Sequence, residues 1–265
     1  MKTISKILVF AILGSAVNIH AATDTDKNNH EESNFNDGSL EPFKVCTTRG
    51  GNYVRIVNKR AKCQWDEAEH RDRNTRSFRG AEFCAERAKG REQIFTGFRL
   101  YIPSATANLS WPDDKDTIVW QNFMLGGCSS WGAVLHITDN DLWVYHRNFC
   151  TPDPTTKKIY SNLPRKTWIN FQTHTKVSKN EKGFIHIRAD GERLYLKTNI
   201  NHGFGASWTN NNKLGSDSYQ EQKFGIYAFD TSNHTRNEVR TIYYDNCSVF
   251  RTGGSDTGWD KVDPS

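Results

Sequence analysis

The feature that most constrains the fold of this chain is a two-residue alternation of apolar and polar side chains. It recurs in short segments along most of the sequence, at residues 43–47, 53–57, 78–84, 94–102, 117–124, 133–138, 142–146, 168–177, 184–189, 193–198, 223–229 and 239–250. Successive side chains of a strand point to opposite faces, so this period indicates β-strands with one buried face. Convincing helical periodicity is absent, apart from a turn or two near residues 81–89. The sequence therefore predicts an all-β domain, a β-sandwich or jelly roll of two antiparallel sheets.

The N-terminus has the features of a secretory signal peptide. Two lysines precede an apolar run at residues 7–17, and small residues follow at Ala21 and Ala22. This run is too short to span a bilayer but suits the apolar part of a signal peptide, with cleavage near one of these alanines. We therefore expect residues 1–22 to be removed and the protein to be secreted, to the periplasm or the extracellular space.

The rest of the chain suits one domain with short flanking segments. Residues 23–40 are polar and almost without aliphatic side chains, which predicts a disordered linker. About 225 residues follow, and a single sandwich routinely reaches roughly 200 to 250 residues. We assign residues 41–252 to the jelly-roll domain and residues 253–265 to a C-terminal tail. Within the domain, Asp190-Gly191 lies between two strand segments and predicts a tight hairpin, because Asp-Gly suits a positive φ.

Six cysteines occur in the chain, and none belongs to a CxxC pair: Cys46, Cys63, Cys84, Cys128, Cys150 and Cys247. In an oxidising compartment an even number of cysteines favours disulfides over a metal site. Six cysteines allow 15 pairings, which the sequence does not distinguish. Proximity along the chain favours Cys63–Cys84 and Cys128–Cys150, which leaves Cys46–Cys247.

Missing motifs exclude several classes of function, whereas the net charge excludes none. The net charge is +5, a mild excess of base that fits either a polyanionic partner or an ordinary secreted surface. The chain has no GxSxG motif of a serine nucleophile. It has no HExxH motif and no zinc-spaced cysteines that would indicate a catalytic metal, and no ExDxxE acid pair of a retaining glycosidase in a strand. Glycine-rich phosphate loops are missing, and the aromatic residues do not interleave with basic ones as in a nucleic-acid platform.

The segment YQEQKFGIYAF, residues 219–229, is a strand with two contrasting faces. One face is apolar around Phe224 and Ile226. The other face is polar and reactive, and it carries Tyr219, Glu221, Lys223, Gly225 and Tyr227. The alternation therefore predicts a strand with a core face and a polar, reactive face that carries two phenols, a carboxylate, an ammonium group and a glycine.

Three further segments offer candidate binding residues. Strand alternation in residues 117–124 places Gln121 on one face with Val119 and Phe123. Residues 168–177 place Asn170, Gln172 and His174 beside Trp168, which is either ordinary solvent exposure or a sugar-binding floor. Residues 70–82 contain four arginines, His70 and Glu82; this cluster either binds a carboxylate ligand such as a uronate or forms surface salt bridges.

The order of these segments resembles a known family. The Arg-rich segment with Glu82 is followed by FTGFRLYIPS, TIVWQNF, KFGIYAF and YYDNCSVF. Together they resemble the jelly-roll polysaccharide lyases, particularly glucuronan lyase-like enzymes and, more distantly, alginate lyases and heparin lyase I. The likeness spans roughly residues 43–252. It implies a concave substrate cleft and an endo-acting enzyme that cleaves a uronic-acid polymer, of glucuronan or alginate type, by β-elimination.

The resemblance also implies roles for individual residues. Gln121 matches the family's carboxylate-binding Gln, and Arg76 or Arg79 with Glu82 matches its arginine-glutamate strand. Lys223, Gly225 and Tyr227 match a K-x-G-x-Y motif, in which the glycine would let the polymer approach the backbone. The implied partner is an anionic polysaccharide, with no nucleic acid, no membrane and a monomeric enzyme. No cofactor is required for the chemistry, and a structural calcium is left open.

Two positions depart from the alginate lyase pattern. Phe123 stands where that pattern has a histidine, and Glu221 stands where it has the catalytic tyrosine. The catalytic candidates are therefore Tyr219, Tyr227 and His70, with His136 and His174 as alternative imidazoles. Asn170, Gln172 and His174 complete the candidate substrate-binding set of Arg76, Arg79, Glu82, Gln121 and Lys223. The alternative function is a non-catalytic, lectin-like carbohydrate-binding module, and a hydrolase on a similar sandwich is a weaker third.

Overall fold

A computed structural model describes residues 29–71, 78–89, 92–103, 117–125, 130–147, 153–202, 219–228, 234–253 and 258–265. Nearly all regular structure in these residues is strand. In chain order the elements are β1 (His30–Ser33), β2 (Lys44–Thr48), β3 (Tyr53–Val57), β4 (Arg60–Asp66), α1 (Glu67–Arg71), β5 (Gly80–Cys84), β6 (Ala88–Lys89), β7 (Gln93–Tyr101), β8 (Thr117–Leu125), β9 (Ser130–Thr138), β10 (Asp141–His146), β11 (Thr155–Tyr160), β12 (Trp168–Lys176), β13 (Ser178–Ala189), β14 (Glu192–His202), β15 (Tyr219–Ala228) and β16 (Val239–Thr252). A 3₁₀ turn, Asp260–Val262, lies near the C-terminus.

The strands form two antiparallel sheets of eight strands each. The first sheet has the order β14-β13-β12-β7-β16-β4-β3, with β1 paired to β16. The second sheet has the order β11-β10-β9-β8-β15-β5-β2, with β6 paired to β15. Many neighbours are far apart in sequence, as in a jelly roll. The predicted all-β sandwich is therefore confirmed.

The core lies between the inner faces of the two sheets. Phe98 of the first sheet contacts Phe224 of the second at a ring-centroid distance of 5.6 Å. Phe83 and Phe224 stack within the second sheet at 5.2 Å. These buried side chains come from the apolar positions of the alternating segments, so burial of one strand face drives the pairing of the sheets.

Local signals in the sequence have mixed outcomes. The hairpin at Asp190-Gly191 is confirmed, since both residues have positive φ and join β13 to β14. The expected helical turn near residues 81–89 is wrong, because β5 and β6 occupy that region and the short helix is α1. No helix in the described part of the chain is long and apolar enough to cross a membrane.

The expected linker is wrong in its second half. β1 pairs with β16 along its length, and Phe35 is fully buried in the core. Glu31 forms a buried ion pair with Arg251 and accepts a hydrogen bond from the backbone N–H of Glu86. These few buried contacts order the segment although its composition is polar. The signal peptide and the start of the linker lie outside the described residues.

The C-terminal segment packs against the outward face of the first sheet. Val262 is fully buried in a small cluster with Phe95 and Phe250. The carbonyl of Trp259 accepts a hydrogen bond from Gln172 Nε2 at 2.8 Å. The described part of this tail, residues 258–265, is thus part of the domain.

The expected disulfides Cys46–Cys247 and Cys63–Cys84 are wrong, because all four cysteines are free thiols in the structure. Each expected pair joins strands of different sheets: Cys46 and Cys84 lie on β2 and β5, while Cys63 and Cys247 lie on β4 and β16. The strand from the N-terminal part of the chain that pairs with β16 is β1, not β2. The premise that Cys46 and Cys247 lie on neighbouring strands therefore fails. Cys128 and Cys150 lie outside the described residues.

Candidate active site

The polar face of β15 lies at the centre of the outward face of the second sheet. β15 runs between β8 and β5. Phe224, Ile226 and Ala228 are fully buried in the core. The alternate side chains, which include Lys223 and Tyr227, therefore point outward as the alternation predicts.

Glu82, Gln121 and Lys223 meet on three adjacent strands. Lys223 is opposite Gln121 of β8, and Gly225 is opposite Glu82 of β5. Gln121 Nε2 donates a short hydrogen bond to Glu82 Oε1. Glu82 and Gln121 are only 2% and 3% exposed. This hydrogen bond fixes the amide group and leaves its second N–H for a ligand.

Burial and neighbouring charges set the protonation of this group. Burial raises the pKa of the Glu82 carboxyl, against the opposing effects of Lys223 and of hydrogen bonds from Thr47 and Gln121. Burial alone would lower the pKa of Lys223, but the negative charge of Glu82 is the largest of several contributions that raise it above its ordinary value. Lys223 is therefore a cation at neutral pH.

Phe123 and Glu221, the two departures from the alginate lyase pattern, are cross-strand partners. Both contact Lys223: its Nζ lies 4.2 Å from the Phe123 ring centroid and 3.7 Å from Glu221 Oε2. Glu221 also forms an ion pair with Arg87 at 3.4 Å. An aromatic ring and a carboxylate thus hold the ammonium group where the related pattern has an imidazole and a phenol.

A break in the β8–β15 ladder changes one predicted face. Phe224 is opposite Trp120 and Tyr227 is opposite Ile118, so the pairing register shifts between them. Val119 consequently turns into the core and Ile118 turns outward. The expectation that Val119 shares a face with Gln121 is therefore wrong, because a bulge interrupts strict alternation.

Gly225 lies at this break with φ of +135°. A Cβ at this position would collide with the Ala81 carbonyl oxygen and would meet Glu82 Cα at 2.7 Å. The glycine is therefore required by the neighbouring strand β5. The expectation that it serves the approach of a polymer stays a prediction beside this steric reason.

The two candidate tyrosines occupy different ends of β15. Tyr227 packs against an outward apolar cluster that contains Ile118 and Val134. Only Gly225, which has no side chain, separates it from Lys223 on the same face. Tyr219 lies at the other end, opposite Leu125 of β8, with Glu221 between it and Lys223. Along the strand, Tyr227 is therefore separated from Lys223 by no side chain on this face, whereas Tyr219 is separated from Lys223 by the side chain of Glu221.

His70 and Arg79 lie near the Tyr227 end of the sheet. The Arg79 carbonyl accepts a hydrogen bond from the Ala228 backbone N–H at 2.8 Å. Arg79 lies outside the strand, which begins at Gly80, so strand alternation does not fix its direction. His70 is 5% exposed, and burial together with the charge of Arg79 lowers its pKa below the ordinary 6.5. Arg76 lies outside the described residues.

Two further histidines contribute to this region. His234, which the sequence did not indicate, has its ring 5.6 Å from His70. His136 lies opposite Ile118 on β9, in the same cross-strand row as Tyr227. Its ring centroid is 3.8 Å from that of Tyr145. Imidazoles therefore approach the Tyr227 end of the site from both sides of β15.

Asn170, Gln172 and His174 do not join this site. They lie on β12 of the first sheet, on the face beneath the C-terminal segment. His174 stacks on Phe95 with ring centroids 3.6 Å apart, and burial lowers its pKa to about 3. The whole sandwich separates them from Lys223, so one substrate-binding floor cannot contain both sets. Alternation identifies an outward face but cannot say to which sheet it belongs.

A cationic group that the sequence did not indicate lies on the other side of Phe123. Trp131 of β9 is the cross-strand partner of Phe123, and the Arg147 guanidinium lies 3.6 Å from the Trp131 ring centroid.

Within the described ranges, no three His, Cys, Asp or Glu side chains are grouped so that they could hold a metal ion.

A family model and solved structures match this chain. The model described as "Polysaccharide lyase" matches residues 20–248. An endo-β-1,4-glucuronan lyase from the fungus Trichoderma reesei has a TM-score of 0.58 at 15% identity, covering 89% of this chain and 98% of its own. An alginate lyase of polysaccharide lyase family 7 has a TM-score of 0.57 at 10% identity, with 86% and 97% covered. An alginate lyase from Pseudomonas aeruginosa has a TM-score of 0.52 at 11% identity, with 77% and 87% covered. No curated protein sequence matches.

Proposed function

We propose that this chain, which belongs to the polysaccharide lyase family, is a secreted endo-acting enzyme that cleaves a uronic-acid polymer of glucuronan or alginate type. Family membership and the fold make the chain a polysaccharide lyase. The observation that carries the uronate assignment is the Glu82–Gln121–Lys223 group on three adjacent strands. A largely buried ammonium beside an oriented amide donor suits one carboxylate.

Neutralisation of that carboxylate is the first requirement of the reaction. The C5 proton of a uronate is weakly acidic until hydrogen bonds or positive charge stabilise the developing anion on its carboxyl group. In our proposal Gln121 donates its free amide N–H and Lys223 supplies the charge. Glu82 holds the Gln121 amide in position. Arg79 adds positive charge from the Tyr227 end.

Proton transfer is the second requirement. We assign the base to His70, whose lowered pKa keeps its imidazole neutral at neutral pH. We assign the acid to Tyr227, which lies on the same face as Lys223. The C5–H bond breaks and its proton passes to the imidazole, the electron pair forms the C4–C5 double bond, and the C4–O4 bond breaks as Tyr227 protonates the leaving oxygen.

The same proposal covers partner and compartment. Side chains provide charge neutralisation, acid and base, so we assign no cofactor to the chemistry. The partner is an anionic polysaccharide, and the enzyme acts as an exported monomer. The lectin-like alternative shares the sheet face but needs no proton-transfer groups.

A direct assay tests this function. Purified protein is incubated separately with glucuronan, alginate and heparin, and the ultraviolet absorbance of the unsaturated uronate product is followed over time. We expect absorbance to grow with glucuronan or alginate, with early products of intermediate length as for an endo enzyme. Binding of a polymer without any rise in absorbance would favour the lectin-like alternative.

A further inference from the structure

Two cations on the outward face of the second sheet lie on aromatic rings that are themselves cross-strand partners. Lys223 Nζ lies 4.2 Å from the centroid of the Phe123 ring. The Arg147 guanidinium carbon lies 3.6 Å from the centroid of the Trp131 ring. Phe123 and Trp131 are opposite each other on β8 and β9. The sheet therefore presents two cation–aromatic units side by side.

The Arg147 unit is held in place by the backbone and by its neighbours. Its backbone N–H donates to the Gly132 carbonyl at 2.9 Å, and its Nη1 donates to Ser130 Oγ at 3.3 Å. Stacking on the indole fixes the plane of the guanidinium, a common arrangement for arginine. The side chain is thus largely ordered before any ligand binds, so it loses less conformational entropy on binding.

Among the described residues, no carboxylate lies within ion-pair distance of Arg147. This contrasts with five other arginines, each of which pairs with an acidic side chain: Arg71, Arg87, Arg99, Arg240 and Arg251. A partly buried guanidinium without an anionic partner favours binding of an external anion.

The spacing of the two units matches a polymer rather than a single sugar. Neighbouring strands are ~4.8 Å apart, and β9 is two strands from β15. The Arg147 guanidinium, which lies on Trp131 of β9, is therefore on the order of 10 Å across the sheet from Lys223. Consecutive sugars of an extended polyuronate carry their carboxylates at comparable intervals. We propose that Arg147, stacked on Trp131, binds the carboxylate of a second uronate unit, next to or one unit beyond the unit at Lys223. This inference rests on the proposed function and adds a specificity subsite to it.

Steady-state kinetics of Arg147→Ala test the subsite. We expect KM for the polyuronate to rise on the order of tenfold or more, the scale of one hydrogen bond to a charged group, with kcat changed little. Arg147→Lys keeps the charge but not the planar stacking, and we expect an intermediate KM. Arg55→Ala is the matched control, because Arg55 also stacks on an aromatic ring, Tyr53 at 4.0 Å, but lies on the first sheet.

A chemically altered substrate separates charge recognition from a general loss of fit. In a polymer with part of its carboxylates reduced to alcohols, we expect the KM values of wild type and Arg147→Ala to converge. An unchanged KM for Arg147→Ala on the fully charged polymer overturns the subsite.

A failure of the subsite is distinguishable from a failure of the proposed function. If Arg147→Ala matches wild type while Lys223→Ala is inactive, the lyase assignment stands and the subsite falls. If wild type cleaves no polyuronate, the assignment itself falls, and calorimetric binding of uronate oligomers to wild type and Arg147→Lys then tests the subsite alone. Thermal unfolding of each variant shows whether it is folded.

Discussion

The backbone N–H of Gly225 donates a hydrogen bond to the phenol oxygen of Tyr244 at 3.1 Å. The same hydroxyl donates to the carbonyl of Val119. These two backbone groups lie at the break in the β8–β15 ladder, where neither finds its usual partner across the strands. A side chain from the first sheet therefore completes the hydrogen bonding of the sheet that carries the site.

We expect Tyr244→Phe to lower the free energy of unfolding by about 1–3 kcal/mol, since it leaves a buried N–H and a buried carbonyl without partners. Chemical denaturation measures the change. Tyr243→Phe is the matched control, because the neighbouring Tyr243 is only partly buried and lies on the other face of β16. Equal stability of the two variants would contradict the role of the Tyr244 hydroxyl.

Gly225→Ala should destabilise the protein by more than about 1 kcal/mol, because the new methyl group collides with the backbone of β5 and the φ of +135° disfavours a side chain. Thermal unfolding gives the readout. Gly253→Ala, where a Cβ meets nothing within 4 Å, should leave the melting temperature almost unchanged. A stable and fully active Gly225→Ala would show that β5 can move aside.

Gln121→Ala should lower kcat/KM by on the order of 10² or more, the scale for losing one oriented donor to a developing oxyanion. The amide also pairs with Glu82, so the melting temperature is measured in parallel. Asn170→Ala, on the outward face of the first sheet, is the control and should keep wild-type kinetics. Equal rates for both variants would remove Gln121 from the mechanism.

Tyr227→Phe should abolish turnover while the ring continues to pack against Ile118 and Val134. Tyr219→Phe should retain most activity, since Glu221 separates it from Lys223 along the strand. Measurement of kcat for the pair assigns the acid. An inactive Tyr219→Phe beside an active Tyr227→Phe would reverse the assignment.

The pH profile tests the base. His70 has a pKa lowered from 6.5 by burial and by Arg79, and only its neutral form accepts a proton. The value of kcat/KM should therefore rise with pH through an acid limb below 6.5 and stay high at neutral pH. His70→Asn should lose this limb together with most of its activity. If His136→Asn loses the limb instead, the base lies on β9.

Sequence reasoning succeeds where one local period decides the outcome. Alternation in β15 predicts which side chains share a face with Lys223, and the apolar partners Phe224 and Ile226 show why: they must be buried. The same rule fails at Val119, since a bulge adds one residue to one strand and reverses the faces beyond it. Local pattern does not contain that information.

Long-range pairing accounts for the other errors. Nothing in residues 168–177 distinguishes the first sheet from the second, so the pattern cannot reveal that Gln172 and His174 lie on the opposite side of the sandwich from the site. β1 escapes prediction because a single phenylalanine and one buried ion pair order a polar segment. The expected Cys46–Cys247 disulfide follows the same error, because it depended on which strand lies next to β16.

The position of β15 between β5 and β8 also has a consequence for how the chain folds. Glu82 and Gln121 belong to β5 and β8, which do not pair with each other, and β15, which is synthesised much later, lies between these two strands in the sheet. Until that strand inserts, both neighbours present open edges that can pair with other chains. Such non-local closure is slow and exposes the intermediate to aggregation. The yield of active enzyme should therefore depend on temperature and protein concentration during refolding more steeply than the stability of the finished protein does.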